Sequence, residues 1–369
     1  KLGPRLDWEP ARDNLVLINR WFSLRAGRSE RRRFWQTYAD ARGWLPAGCQ
    51  RRDPAILEMR TRARELEKVT LHSNLVFWHS RDQRCRANNR HIEKLRKPGL
   101  AGHAVRGLDR AFLENLLADP DGPFARDSVK TLKDSRSSTV IEMEASLNGK
   151  ARRLIYKRFR VTHWSEPWRG LVRRTPVLRS WVYGHCLRDR GLPTARPLHV
   201  LQRRQAGLDR EGYLLAEKIE EAVEMQRFVE RLGELPERER RPGVRLLVER
   251  LARLIRTLHQ RRIAHRDLKA ANLLVSGPCD DPQLHFIDLV GIAQAAHLPR
   301  QRRIQNLARL NASFLQSKVI SHADRLRFLA LYRQWGLAGK GGWKNWWRAI
   351  ARATEKKVAR NQKTGRPLA

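Results

Sequence analysis

The sequence predicts an α+β fold in two lobes, a small antiparallel β lobe leading into a helical lobe, with a helical region ahead of both. Three observations carry this. Residues from about 128 to 220 read as strands with one helix among them. Residues beyond 220 carry helical periodicity broken by two short apolar strands. Residues 1 to about 122 are rich in arginine and patterned mostly as helices. The expected segments are 1–122, 123–220, 221–345 and a basic tail over 346–369.

The first boundary is Ala118-Asp119-Pro120-Asp121-Gly122-Pro123, a cluster of turn formers. Val129–Leu132 follows as a first strand and Thr139–Leu147 alternates as a second. Asn148-Gly149 is a strong hairpin signal, and Arg153–Phe159 is the third strand. Leu178–Arg190 reads as a helix stopped by Gly191 and Pro193. Leu198–Gln202 and Tyr213–Ala216 read as two further strands. In Val244–Gln260 the residues Val244, Leu247, Leu251, Leu254, Ile255 and Leu258 recur at three- and four-residue steps with arginines opposite, which predicts an amphipathic helix.

That helix delivers the chain to His265-Arg266-Asp267-Leu268-Lys269-Ala270-Ala271-Asn272, which has the H-R-D-x-x-x-x-N spacing of a kinase catalytic loop. Phosphoryl transfer asks for positioned phosphates, a metal ion to neutralise developing charge, and a carboxylate facing the acceptor hydroxyl. Asp267 is the expected base, and Lys269 is expected to steady the γ-phosphate. Asn272 offers a side-chain oxygen, the donor type Mg²⁺ prefers. Asp288 ends the apolar strand Leu284–Ile287 and precedes Leu289-Val290-Gly291, a D-F-G-like element with one extra residue, and is expected as the second metal carboxylate. Lys157, in Leu154-Ile155-Tyr156-Lys157, has the texture of V-A-I-K. Alternation puts it on one face with Ile155 and Phe159, read as the apolar face, so it is expected on the phosphates.

Two kinase parts are missing. The turn Lys133–Ser138 has no glycine, so Ser135, Arg136 and backbone amides are the candidates for phosphate there. Between Glu166 and Asp189 there is no acidic residue to pair with Lys157; either the pair is absent or a residue outside this helix supplies it. The adenine site is expected at Leu215–Ile219, with Glu217 and Ile219 as its residues.

The formal net charge is +38, mostly arginine, which suits polyanions such as anionic membrane, phosphorylated glycolipid or nucleic acid. A generally solvated basic surface explains it as well. Trp21, Phe34, Trp35, Phe77 and Trp78 read as core residues rather than as a base-stacking platform, and no nucleic-acid-binding signature is present. The cysteines Cys49, Cys85, Cys186 and Cys279 form no C-x-x-C pair and read as reduced thiols of a cytosolic protein. No run approaches the length of a spanning helix, no signal peptide is evident, and the opening Lys1 reads as the start of a fragment or processed form.

A weak internal repeat is present. Asn14-Leu15, Asn19 and Phe22 match Asn306-Leu307, Asn311 and Phe314. After a two-residue shift Arg31, Arg33, Phe34 and Tyr38 match Arg325, Arg327, Phe328 and Tyr332. This follows if residues 1–122 hold the tail of a preceding kinase-like copy plus a connector. It follows too from two Arg-rich helical pairs alike in composition.

The constellation resembles the lipopolysaccharide core (Kdo/heptose) kinases of the protein-kinase-like superfamily. The resemblance rests on Leu132–Arg136, Tyr156–Phe159, Gly191-Leu192-Pro193-Thr194-Ala195-Arg196-Pro197, His265–Asn272 and Ile287-Asp288. The Gly191–Pro197 link is similar to that family's G-I-P-T-P-x-P, and the family tends to use a polar loop where other kinases have glycines. The stretch Trp78–Val105 looks like a connector between tandem copies. The resemblance implies a protein-kinase-like bilobal fold, ATP and Mg²⁺, and a sugar hydroxyl of the lipopolysaccharide inner core or a similar anionic glycolipid as acceptor. It also implies a cytoplasmic protein working at the inner-membrane face. A Ser/Thr protein kinase and a weakly active scaffold binding ATP or polyanions are the alternatives; the absence of an A-P-E-like segment after Gly291 disfavours the protein kinase.

Overall fold

Seven strands form one antiparallel sheet in the computed structural model: β1 Ile92–Lys97, β2 Leu100–Val105, β3 Lys130–Ser135, β4 Ser138–Leu147, β5 Lys150–Arg160, β6 Pro197–Gln205 and β7 Leu208–Glu217, in the order β1-β2-β6-β7-β5-β4-β3. The structure describes residues 6–45, 53–126, 129–147, 149–162, 168, 174–333 and 342–365. Two compact units divide the chain, Lys1–Ser80 with Tyr332–Trp343 and Arg81–Leu331 with Lys344–Ala369. The sheet belongs to the second.

β3, β4, β5, β6 and β7 are the strands read from the sequence. Asn148 of the predicted turn lies outside the described residues, but Leu147 pairs with Lys150 and Gly149 takes φ +73°. β6 and β7 run longer than expected and meet at Ala206-Gly207, both at positive φ, a two-residue hairpin turn that an Ala-Gly pair signals poorly. β1 and β2 lie inside the stretch that reads mostly as helix. They pair Ile92 with Val105 and Lys97 with Leu100, and β2 joins β6 with Gly102 opposite Leu201. A Cβ on Gly102 would stand 2.0 Å from the Val200 carbonyl oxygen, so only glycine lets the strands meet there.

The helices are α1 Trp8–Arg25, α2 Arg28–Ala41, α3 Pro54–Gln83, α4 Arg110–Ala118, α5 Pro176–Asp189, α6 Met225–Glu234, α7 Glu237–Gln260, α8 Arg300–Ala312, α9 His322–Arg333 and α10 Gly342–Lys363. Thr175 caps α5 by accepting from the Leu178 N–H, with Pro176 in the first turn. α5 packs on β6 and β7 through the fully buried Trp181, whose indole N–H donates to the Cys85 carbonyl at 2.7 Å. α7 begins at Glu237, about two turns before the expected Val244, and carries Pro242 in its interior. Pro242-Gly243 reads as a breaker, but the apolar face through Val244, Leu247, Leu251 and Ile255 is buried and outweighs the one lost hydrogen bond. Short strands complete this lobe: β8 Val223–Glu224, β10 Leu273–Ser276 and β11 Gln283–Phe286 form one sheet, β9 Ile263–His265 and β12 Ile292–Gln294 another. α10 packs through Trp346, Ile350 and Thr354.

The β lobe carries three histidines without hydrogen-bond partners for particular ring nitrogens among the described residues: both nitrogens of His199, Nδ1 of His103 and Nε2 of His185. Burial pushes His199 down to about 3, helped by His103, and pushes His103 and His185 down to about 4, helped by Lys94 and Arg86 in one case and Arg188 and Arg196 in the other. All three are held neutral when folded, whereas the unfolded chain takes up protons near 6.5. Their contribution is therefore intact above pH 6.5 and is lost as pH falls toward 4, by up to about 1.4 kcal/mol per pH unit for each group. The urea midpoint is expected to hold above pH 7 and to drop between pH 6.5 and 4, with a shallower drop in His199→Leu. A flat midpoint over pH 5–7 would count against this account.

In the first unit, Leu15, Val16, Trp35, Ala39, Met59 and Leu66 form the core. The aromatic expectation needs correcting: Trp35 and Trp78 are buried, but Trp21 and Phe34 are exposed, and Phe77 lies under the Arg20 guanidinium at 4.4 Å. α1 buries Ala11 and Leu15 and turns Leu17, Ile18, Trp21 and Phe22 outward. The matched residues of the repeat behave alike in one respect. Asn19 Nδ2 donates to Thr70 Oγ1 at 3.0 Å, and Asn311 Nδ2 donates to Thr354 Oγ1 at 3.1 Å. They differ in another: Leu310 and Phe314 are buried, whereas Ile18 and Phe22 at the same repeat positions are exposed. Leu310→Ala is expected to cost about 2–5 kcal/mol, and Ile18→Ala to stay within about 0.5 kcal/mol. Equal losses in urea titrations would contradict the exposure of this face.

Candidate active site

β5 places Lys157 between Val140 of β4 and Leu214 of β7. It shares the face of Ile155 and Phe159, as alternation predicts, but that face is the less buried of the two. Leu154 and Tyr156 are the fully buried pair, while Ile155, Lys157 and Phe159 form a partly buried face. Both faces of the strand are rich in apolar atoms, so alternation separates them without ranking them. Lys157 Nζ lies 4.6 Å from the Phe159 ring centre and donates to Asp288 Oδ1 at 3.4 Å. A carboxylate from outside the helix thus meets the lysine.

Asp288 sits in the left-handed region, φ +53° and ψ +61°, a conformation Asp tolerates better than most residues. Three contacts fix it there. Phe286 N–H donates to the Pro193 carbonyl at 2.9 Å, Thr194 Oγ1 donates to the Phe286 carbonyl at 2.7 Å, and Ile287 N–H donates to the Asn272 carbonyl at 3.0 Å. The Gly191–Pro197 link is therefore the strap under the strand that ends in Asp288. Behind it, Arg179 of α5 donates to the Ile292 carbonyl at 2.8 Å. The helix that offers no carboxylate holds the segment that does, and sequence reasoning missed Arg179 because the contact is to backbone.

The catalytic-loop sequence folds around His265, which is fully buried. Its Nδ1 accepts from the Asp267 N–H at 3.3 Å, and its Nε2 faces the Ile287 carbonyl at 3.4 Å, so the neutral Nε2–H form joins the loop to the strand before Asp288. Burial holds His265 below its ordinary value, opposed by the Ile287 carbonyl and by Asp288 and Asp267. His265 N–H donates to Asn306 Oδ1 at 3.0 Å, and the same oxygen faces His259 Nε2 at 3.2 Å. Gly291 closes the site, since a Cβ there would lie 3.1 Å from His265 Nδ1 and 3.2 Å from the Asp267 nitrogen.

Asn272 donates through Nδ2 to the Asp267 carbonyl at 2.7 Å and to Asp267 Oδ2 at 3.2 Å. Its Oδ1 is thereby turned away and left for another partner. With the half-exposed Asp288 carboxylate, this gives two oxygen donors of the kind a hard divalent cation takes when it shares its shell with phosphates. Among the described residues no group of three or more His, Cys, Asp or Glu is arranged to hold a metal alone.

The remaining expected residues stand on either side of Lys157. Ser135, Arg136 and their turn lie at the Phe159 end of β5, where Ser138 pairs with Phe159. Ser135 Oγ is committed to the turn, donating to the Ser138 carbonyl at 2.9 Å and accepting its N–H at 3.3 Å; Arg136 is exposed. Glu217 pairs with Leu154 at the other end and meets Arg196 at 3.3 Å. Glu217 and Lys218 spend their N–H groups on the Arg196 and Arg153 carbonyls at 2.9 and 3.0 Å. Ile219, the next residue, is partly buried. Lys269 is partly buried beside Asp267, and its carbonyl accepts from the Asn272 N–H at 3.0 Å.

A β lobe carrying a lysine, a helical lobe carrying an Asp–Asn loop and a second Asp after a short strand together define a protein-kinase-like bilobal fold. The sequence profile of the lipopolysaccharide kinase (Kdo/WaaP) family matches residues 127–332, more than half of the chain, and the chain belongs to that family. It is thus a member of a phosphotransferase family. A solved structure described as WaaP in complex with acyl carrier protein is similar at 22% identity over 68% of this chain and 97% of that one, with a TM-score of 0.45. No curated protein matches the chain. Among the described residues no helix is long and apolar enough to cross a membrane.

Proposed function

We propose that this chain transfers the γ-phosphoryl group of ATP to a sugar hydroxyl of the lipopolysaccharide inner core, on Kdo or heptose, or of a similar anionic glycolipid. The observation that carries the reading is the convergence of Lys157 on Asp288 and of Asn272 on Asp267, tied together through His265 and Ile287. Asp267 accepts the proton of the acceptor hydroxyl as its oxygen bonds to the γ-phosphorus and the bond to ADP breaks. Lys157 and Lys269 hold phosphate oxygens, and the Arg136 turn covers them. The backbone around Glu217 and Ile219 takes the adenine. Asn272 and Asp288 would hold Mg²⁺, which supplies charge neutralisation at the phosphates. The basic surface suits an anionic acceptor at the cytoplasmic face of the inner membrane. The test is ADP release from Mg-ATP with core saccharides as acceptors, in wild type and Asp267→Asn. Release by neither, with every acceptor, would sink the reading.

We also infer that residues 1–122 hold the helical end of a preceding kinase-like copy and a connector, whose strands β1 and β2 extend the sheet of a kinase lobe over 123–220, followed by a second lobe over 221–345 and a C-terminal segment over 346–369. The shared Asn–Thr hydrogen bond of the two repeats supports this, as does the exposure on α1 of the face that α8 buries.

A further inference from the structure

α8 lies along the catalytic loop, seated on it by side-chain contacts before and after Asp267. Arg302, Asn306, Arg309 and Ser313 fall at steps of four, three and four, so they share one face. Asn306 Oδ1 accepts the His265 N–H at 3.0 Å, before Asp267 in the loop. Ser313 Oγ accepts the Ala270 N–H at 3.1 Å, after it. Arg309 lies between these two anchors, and its guanidinium feels the attraction of Asp267 together with the repulsion of Arg302, Arg266 and Arg360. Its Nη1 donates to the Gln305 carbonyl at 3.2 Å, and the residue is partly buried, while Arg266, Arg302 and Arg360 are exposed.

Arg309 therefore stands beside the proposed base, with three further guanidinium groups close enough to repel it. None of the four is in an ion pair with a carboxylate among the described residues. The sequence explains the lack of partners: from Leu289 to Ala323 there is no Asp or Glu, and α10, which carries Arg360, has Glu355 alone. A cluster of like charges is costly unless an anion is brought to it, and guanidinium forks match carboxylate and phosphate oxygens. The ATP phosphates are assigned to Lys157, Lys269 and the Arg136 turn, none of which belongs to this cluster, so the acceptor is the anion it would meet.

We propose that Arg309, with Arg302, Arg266 and Arg360, binds an anionic substituent of the acceptor, a carboxylate or a phosphate, and so sets the acceptor hydroxyl against Asp267. This rests on the kinase reading and adds the part of the acceptor that is recognised. Arg309 is a specificity-determining residue in this scheme, and Arg302 guides the same group from the exposed end of the face.

The test is calorimetric binding of lipid-free inner-core oligosaccharide to the full chain, which does not depend on turnover. Three forms are compared: native, carboxyl-reduced and dephosphorylated. Wild type is expected to bind the native form, and at least one neutralised form about tenfold or more weakly; which one identifies the group. Arg309→Gln is expected to lose that preference, binding native and neutralised forms alike, and Arg309→Lys to restore part of it. Arg302→Gln, on an exposed residue, is expected to reduce the preference and keeps the test readable if Arg309→Gln fails to fold. Wild type that binds no form, that binds all forms equally, or whose preference survives both glutamine variants overturns the proposal. Binding with the expected preference but no ADP release would instead remove the kinase reading and leave the anion site standing.

Discussion

Asp267→Asn is expected to lower phosphotransfer by about 10²–10⁴-fold, the range typical of losing a positioned general base, while leaving the fold in place. The carboxylate has two neighbours of known geometry: Asn272 Nδ2 at 3.2 Å from Oδ2, and a backbone N–H pinned to His265. An asparagine fills the same volume and keeps the backbone contact, so the melting temperature reports the fold and ADP release reports the base. The substitution removes the proton acceptor and a negative charge that Arg309 feels. A loss below tenfold with an unchanged melting temperature would take Asp267 out of the base role.

Asp288→Ala carries the second large effect. Asp288 does two things in the structure: it partners Lys157 at 3.4 Å and presents a half-exposed carboxylate beside Asn272. Its loss is expected to lower the rate by about 10²–10³-fold through lost charge stabilisation. Binding gives an independent reading. A ligand at a hundred times its Kd stabilises the native state by about 2.7 kcal/mol. The part of that rise that needs Mg²⁺ is expected to vanish in Asp288→Ala and the part that does not to vanish in Lys157→Met. An Asp288→Ala protein with the full Mg-ATP rise would exclude Asp288 as a metal ligand.

The parts legible in the sequence are those whose chemistry is local. The H-R-D-x-x-x-x-N loop, the strand ending in Asp288 and the amphipathic α7 each announce themselves within a dozen residues, and the structure brings the first two together through His265. What escaped the sequence is made of backbone contacts and long-range pairing. Arg179 binds a carbonyl of residue 292, and Asn306 binds the N–H of residue 265; neither partner has a side-chain signature. The helix offers Lys157 no carboxylate, and the sequence does not say which residue outside it does; the left-handed turn at Asp288 brings one to the lysine. The exposure of Trp21 shows the same limit: an aromatic residue reports a surface that wants cover, not whether cover is present.

The family match begins at residue 127, but the sheet does not. β2 covers the side of β6, and Asp82, at the end of α3, grips Arg190 with contacts of 2.7 and 3.0 Å while that arginine is almost wholly enclosed. A shortened chain starting at residue 127 would keep all the catalytic groups yet leave a guanidinium sealed without its counter-charge, at about 3–5 kcal/mol. It would also bare a strand with free pairing groups, an invitation to self-association. Such a chain is expected to elute as aggregates in size-exclusion chromatography where the full chain does not, and elution as a stable monomer would show that the added strands are dispensable. Where the lobe ends is decided by a salt bridge and a hairpin, neither of which takes part in the chemistry.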